Sequence, residues 1–218
     1  MIGTRTIGRT DLEVTTISFG CAGIGNLYRA VSRDDAEATL AMAWDAGIRY
    51  FDTAPRYGHG LAERRLGDFL RDKPDGSYVV STKVGRLQRP VPESEVPDYG
   101  FVDPLPFRAD YDYSYDGVMR SLEDSLQRLG LNKVEILFVH DIGVLTHGAE
   151  ENARHFRDLM DGGMKALDEL KRDGVIKAFG LGVNEVQICL DTMVRTPIDC
   201  ILLAGRYTLL DRSAEAEL

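Results

Sequence analysis

A chain of 218 residues that is 44% hydrophobic and 28% charged has the make-up of an ordinary globular protein with room for one substantial core, so a single domain over residues 1–218 is expected. With 26 Lys and Arg against 35 Asp and Glu the formal charge is -9, which argues against a nucleic-acid backbone as partner but leaves room for a small anion in a locally positive pocket. Cys21, Cys189 and Cys200 are odd in number and widely spaced, so reduced core thiols are expected rather than a disulfide framework or a structural zinc site. No apolar run approaches the roughly 20 residues that a bilayer requires. The N-terminal MIGTRTIGRTD has no signal-type hydrophobic region, and the expectation is a soluble, cytoplasmic protein.

In chain order, residues 4–8 and 14–17 are short β-prone runs around Arg9-Thr10-Asp11 and predict a small hairpin ahead of the main fold. Residues 17–23, ISFGCAG, read as the first buried strand. Ser32 is placed to cap a helix whose apolar face runs Ala36, Leu40, Ala43 and Trp44 and which ends at Gly47, with Trp44 packed on the sheet. Residues 49–53 predict the second strand, 61–70 a helix and 78–84 the third strand. Residues 85–113, with five prolines, read as a long irregular segment that leaves the Lys83 strand end as a lid. A helix over 114–129 stopped by Gly130, an apolar strand over 134–139, a helix over 156–172, a strand over 178–181, a helix over 185–194 and a strand over 200–203 complete the alternation.

Strands alternating with helices predict a parallel α/β sheet with right-handed crossovers. Asp52, Lys83, His140 and Asn184 each fall at the C-terminal end of a different strand, which suits one mouth of a (β/α)8 TIM barrel. A doubly wound dinucleotide fold would carry a glycine fingerprint in its first turn, and GCAGIG at residues 20–25 fits that pattern poorly. Such barrels need about 250 residues. The expectation is therefore a barrel truncated after about six strands, preceded by the N-terminal hairpin.

The chemistry concentrates at residues 49–60, RYFDTAPRYGHG, where Asp52 ends a strand and Tyr57 stands on the glycine-flanked turn beyond it. A phenol titrates near 10 and is a weak proton donor or acceptor at neutral pH unless tuned. An ammonium about 4 Å away would favour the phenolate by roughly 4 kcal/mol, or about three pKa units. Lys83 would thus bring Tyr57 into range, Asp52 would keep Lys83 charged, and His140 would orient a substrate oxygen. His147 and His155, in a polar stretch and at a helix start, read as solvated surface. Asp141 is left open between a lid contact and a loop cap.

Asp52 in FDTAPRYG, Tyr57 five residues on, Lys83 in STKVG and His140 in LFVHD form a set that resembles the tetrad of the aldo-keto reductase superfamily. The N-terminal TIGRTDLEV and the YTLLDR segment at residues 207–212 resemble it too, so the likeness spans the chain. GNLY, DTAPRYGHGLAERRLG, STKVGRL, GLGVNE and LLAGRYTLLD look most like the D-threo-aldose 1-dehydrogenase group, with its L-fucose and pyridoxal 4-dehydrogenases. The resemblance implies an oxidoreductase using NAD or NADP without a Rossmann fold. Hydride would pass between C1 of a sugar and nicotinamide while Tyr57, aided by Lys83, takes the proton. It further implies that Asn184 holds the nicotinamide carboxamide, that the backbone at Gly20 approaches the cofactor, and that Tyr28 walls the substrate. Ala204 stands where many relatives carry Gln. The family's pyrophosphate loop and its groups reading the adenosine end belong to strands seven and eight, past Leu218.

The expected partner is a small sugar or aldehyde, with no nucleic acid, membrane or metal. A homo-oligomer is expected chiefly of an open barrel. The competing expectation is a truncated, catalytically impaired barrel acting as a binding or assembly protein, whose unpaired strand edge would drive association.

Overall fold

Period-two alternation along the strands divides the molecule into two faces. In the computed structural model, which describes residues 2–216 and 218, β1 (Thr4–Thr6) and β2 (Glu13–Thr15) form an antiparallel hairpin. β3 (Phe19–Gly20), β4 (Tyr50–Asp52) and β5 (Val79–Val84) then begin the main sheet. A second hairpin pairs β6 (Arg86–Pro90) with β7 (Phe107–Tyr111), and β8 (Ile136–His140), β9 (Ala178–Val183) and β10 (Cys200–Leu203) complete the sheet. The helices are α1 (Arg33–Asp45), α2 (Leu61–Leu70), α3 (Tyr115–Leu129), α4 (Val144–Asp158), α5 (Met164–Arg172) and α6 (Val186–Met193).

The six main strands are parallel and lie in the order β10-β9-β8-β5-β4-β3, so each new strand adds beside the one before it. A doubly wound sheet reverses this order at its switch point, whereas a barrel wall does not. Phe51, Val80, Leu137, Val139, Phe179 and Leu181 face the helices and form the main core with Leu40, Leu66, Val118, Leu122 and Leu167. The alternate residues Tyr50, Ile136, Phe138 and Ala178 face inward and pack with Val14, Ile7 and Leu12 of the first hairpin region, which closes the base. Asp52, Lys83 and His140 continue the inward set, two residues beyond Tyr50, Ser81 and Phe138 respectively. Among the described residues no helix is long and apolar enough to cross a membrane. Cys21 and Cys189 are buried and Cys200 partly so, and burial raises each thiol's pKa.

Local signals explain the boundaries. The Ser32 side chain accepts from the Asp35 N–H at 3.0 Å and starts α1. Ser114 caps α3 through Gly117 N–H, and Gly130 ends it in the left-handed region. Trp44 stacks on Phe51 with ring centroids 6.4 Å apart, while the Arg49 guanidinium covers its ring at 3.8 Å.

Several expectations are corrected. The first strand is only two residues long and only partly covered, because Phe19 packs beside the core while Gly20 is exposed. Residues 85–113 are not structureless: β6 and β7 pair along five residues each, and their charged, proline-containing sequences hid the alternation. The loop between them docks on the first loop, with Leu27 bridged to Phe101 and Tyr28 N–H donating to Gly100 O at 2.8 Å. The helix expected from residue 156 begins at Val144, kinks at Gly148, and runs through a π-helical turn, Leu159–Gly163, into α5. There Gly163 allows the Tyr113 carbonyl to sit closer than any Cβ would permit.

His155, expected on the surface, is 4% exposed and packs against the Tyr113 ring with centroids 5.2 Å apart. His147 lies 4.6 Å from His155 ring to ring, and its Nε2 meets the Tyr113 hydroxyl at 2.9 Å. Since that hydroxyl donates to the His140 carbonyl at 2.8 Å, the His147 nitrogen is the donor to it.

Candidate active site

The inward-facing strand ends converge. Lys83 Nζ donates to Asp52 Oδ2 at 2.7 Å and to the Thr53 carbonyl at 2.8 Å, with both side chains buried. The other carboxylate oxygen accepts from Ser81 Oγ at 2.7 Å, and Tyr50 OH donates to that serine at 3.1 Å. The pair therefore hangs on a hydrogen-bonded line rising along the inner face from the base. Gly182, opposite His140 in the β8–β9 register, leaves space beside the lysine: a Cβ there would meet Lys83 Cε at 3.3 Å.

Tyr57 reaches the same mouth through a turn of left-handed residues, Gly58, His59 and Gly60, with φ of 61°, 55° and 101°. His59 is the costly member, since a side chain disfavours this region, and it is held between the rings of Tyr99 and Phe101. Gly25 lets the first loop press on the backbone at Tyr57, where an added Cβ would lie 2.9 Å from the Tyr57 carbonyl carbon. Arg65 on α2 ties that loop down, donating to Ile24 O at 2.6 Å, Asn26 Oδ1 at 2.9 Å and Val31 O at 2.9 Å.

Tyr57, Lys83 and His140 line one cavity of about 780 Å³, with Tyr28, Tyr99, Tyr111, Arg56, Arg86, Asp141, Gly182, Asn184 and Ala204 also on its walls. The Lys83 ammonium is 4.9 Å from the Tyr57 ring centroid, and the His140 ring stands edge-on to that ring at 6.2 Å. Burial lowers the Lys83 pKa, but the charges of Asp52 and Tyr57 outweigh it and leave the ammonium raised. The expected lowering of Tyr57 is not what results. Burial raises the phenol, Asp52 adds to the rise, and Lys83 opposes both without cancelling them. Burial, reinforced by Arg86, Lys83 and Arg56, pushes His140 well below the usual imidazole range, so its ring is neutral. Its Nδ1 is buried without a partner, whereas Nε2 lies 3.4 Å from Asp141 Oδ2. A buried N–H with no acceptor is costly, which puts the ring proton on Nε2.

A second ion pair went unseen in the sequence. Arg86, 2% exposed, meets Asp141 Oδ2 at 2.6 Å and Tyr111 OH at 3.0 Å. Asp141 returns to the mouth because its φ is 48°, which breaks the strand's alternation directly after His140. Its other oxygen accepts from Asn184 Nδ2 at 3.0 Å, so Asn184 stands on the exposed rim beside His140. Asn184 does not cap α6; Glu185 occupies that position, and its carboxylate instead caps α4 through Val144 and Leu145 N–H. Tyr28 is 83% exposed at the outer wall. Gly20 lies at the end of β3 with open space around it, and Ala22 rather than Gly20 reaches the cavity wall. The signal for Arg86 was an arginine directly following Gly85 at a strand end, and for Asp141 an acid directly following a strand-end histidine.

The chain matches the Aldo/keto reductase family model over residues 16–218. It is 51% identical to pyridoxal 4-dehydrogenase of Microbacterium luteolum, over 98% of this chain and 65% of that protein. It is 43% identical to D-threo-aldose 1-dehydrogenase of a Pseudomonas species, over 95% of this chain and 61% of that one. The chain thus spans under two thirds of the length of these curated relatives. Among solved structures, the holo form of an aldo-keto reductase from Bacillus halodurans superposes with a TM-score of 0.70 at 24% identity, over 92% of this chain and 57% of the other. The glycerol dehydrogenase of Gluconobacter oxydans does so with a TM-score of 0.66 at 25% identity, over 91% and 54%. Strand order, the four groups gathered at one mouth and a family match along nearly the whole sequence agree: the chain belongs to the aldo/keto reductase family.

Proposed function

We propose that this chain belongs to an NAD(P)-dependent oxidoreductase of (β/α)8 architecture that interconverts the C1 carbonyl and alcohol of an aldose, or of a related aldehyde such as pyridoxal. The observation that carries this reading is the buried Lys83–Asp52 pair beneath the Tyr57 phenol and beside neutral His140, in one open cavity. The names of the two curated relatives support the substrate class.

The residues present fit the nicotinamide end of a dinucleotide. Asn184 offers an amide on the rim, Ala204 adds no bulk to the wall, and Gly182 keeps the floor beside Lys83 thin. Asn184 would hold the carboxamide, and the bound dinucleotide would supply or accept the hydride. Tyr57, a phenol at neutral pH that burial holds still more firmly in that form, gives its proton to the carbonyl oxygen in reduction. In oxidation it must first lose that proton, and the Lys83 ammonium is the group that stabilises the phenolate. His140 Nε2–H donates to the same substrate oxygen and fixes its approach. Asp52 positions the ammonium and keeps it charged. Tyr28 forms the outer wall against the substrate, and the backbone near Gly20 borders the dinucleotide.

The test is reduction of NAD and of NADP with L-fucose, D-arabinose and pyridoxal, together with Tyr57→Phe. Turnover should fall by about 10²- to 10⁴-fold in the variant, with dinucleotide affinity retained. Oxidation should also accelerate as pH rises toward the raised Tyr57 value. Retained turnover in Tyr57→Phe would sink the proton-transfer assignment, and no activity on any of the three substrates would sink the substrate class.

A further inference from the structure

One charged group on the cavity wall lacks an ion-pair partner among the described residues. Lys83 is matched by Asp52 at 2.7 Å and Arg86 by Asp141 at 2.6 Å. The remaining oxygens of those carboxylates are taken by Ser81 and Asn184. Arg56 lines the same cavity directly before Tyr57, is half-buried, and has no ion-pair partner among the described residues. Its guanidinium rests against the Tyr99 ring, 4.7 Å from the centroid. Neutral His140 offers it no counter-charge. Burial and the neighbouring Arg86 both disfavour its positive charge, and the attraction of Asp141 does not offset them. A planar fork of five donors thus rests against an aromatic ring at the wall of a reactive cavity, without an ion pair of its own among the described residues.

The cavity also says what kind of molecule would bring the anion. Tyr28, Tyr99 and Tyr111 line it, and their rings supply apolar area against which a flat ring can pack. Resting on the oxidoreductase reading above, we propose that Arg56 is a specificity-determining residue. It binds an ionised oxygen on a planar aromatic aldehyde or alcohol, next to the carbon that reacts at Tyr57 and His140. Neutral sugars then bind the same cavity without using this contact.

The test compares pyridoxal, whose ring hydroxyl is ionised at neutral pH, with its 3-O-methyl ether, which lacks that anion and carries a methyl group in its place. Reading the ratio of the two in wild type and variant together cancels the differences that do not involve Arg56. In Arg56→Gln the pyridoxal-to-ether ratio of kcat/KM should fall about 10- to 100-fold, as expected for loss of one charge-assisted hydrogen bond. Arg56→Lys should recover part of the loss, because it restores charge without the fork. An unchanged ratio overturns the proposal. The other source of an anionic oxygen is the dinucleotide's phosphates, so NAD and NADP affinities are measured by calorimetry in both variants. A loss there with an unchanged ratio assigns Arg56 to the dinucleotide and also overturns the proposal. If the wild type turns over neither compound, the oxidoreductase reading fails separately. Calorimetric binding of pyridoxal then decides: weaker binding in Arg56→Gln upholds the anion contact, and equal binding removes it.

Discussion

The floor and the side wall of the cavity each hold one buried ion pair of nearly equal length, yet they are built differently. On the floor, Asp52 and Lys83 come from adjacent strands in fixed register, with Asp52 opposite Ser81 and Lys83 two residues farther along. Every polar partner of that pair is supplied by strand residues or by the chain directly after one. On the wall, Arg86 begins a hairpin and Asp141 sits in a left-handed turn, so the pair depends on loop conformation. One Arg86 nitrogen, Nε, is buried with no partner among the described residues. Rigid strands give the floor its placement, while the wall gains its placement from packing against Tyr111 and from the contact with Asn184. Groups that must meet a reacting atom belong on the first kind of support, and groups that tune a pocket tolerate the second.

The sharpest break in that comparison is Lys83→Met. It strands a buried carboxylate, so unfolding free energy should drop by about 3–5 kcal/mol along with turnover. Adding Asp52→Asn should restore much of the stability but none of the turnover, as read by urea titration and by assay. If the single variant is as stable as the wild type, the floor is not a coupled unit. Asp141→Asn attacks the wall, where the amide still fills the space and accepts from Asn184 or Arg86. A loss of about 1.5–3 kcal/mol is expected, together with a raised KM as the rim loosens. An effect on kcat as large as that of Lys83→Met would erase the distinction between floor and wall.

Acid titration gives the most graded test. His59, His140, His147 and His155 all have pKa values below the usual imidazole range, with burial the leading cause in each case. The unfolded chain therefore takes up these protons first. Their contribution to stability is full above pH 6.5 and is lost as pH falls through the folded values, which for His147 is about 4. Each histidine adds at most about 1.4 kcal/mol per pH unit to the slope, and His147, being only partly buried, adds less. Urea midpoints at pH 7.5, 6.0 and 5.0 should decline steadily, and a flat profile would contradict the sealed setting of His140 and His155.

How far the sequence reached follows the same division. Helix α2 and strand β10 have the expected bounds, because a strong apolar stripe and an apolar run between turn residues leave little choice. Asp52, Lys83 and His140 were visible because strand ends are placed by the sheet itself. Arg86 and Asp141 were not, because a single left-handed residue reverses which face a side chain takes. The β6–β7 hairpin is hidden because Arg86, Arg89, Arg108 and Asp110 interrupt its apolar pattern, although all four lie in its ladder and Arg89 pairs with Asp110 across it. The start of α4 escaped because THGAEEN is polar and broken by Gly148, and His155 was misjudged with it. The pKa of Tyr57 follows burial more than the nearby Lys83 charge, and burial is not legible from spacing along the chain.

Gly182 limits how the floor can vary. The lysine's depth in the floor is gauged by a hydrogen atom on β9, across the intervening β8, where even one methyl group would press on Phe138 Cβ and Lys83 Cε. A residue with nothing to contribute chemically thereby sets a tolerance of a few tenths of an ångström on the group that the phenol depends on.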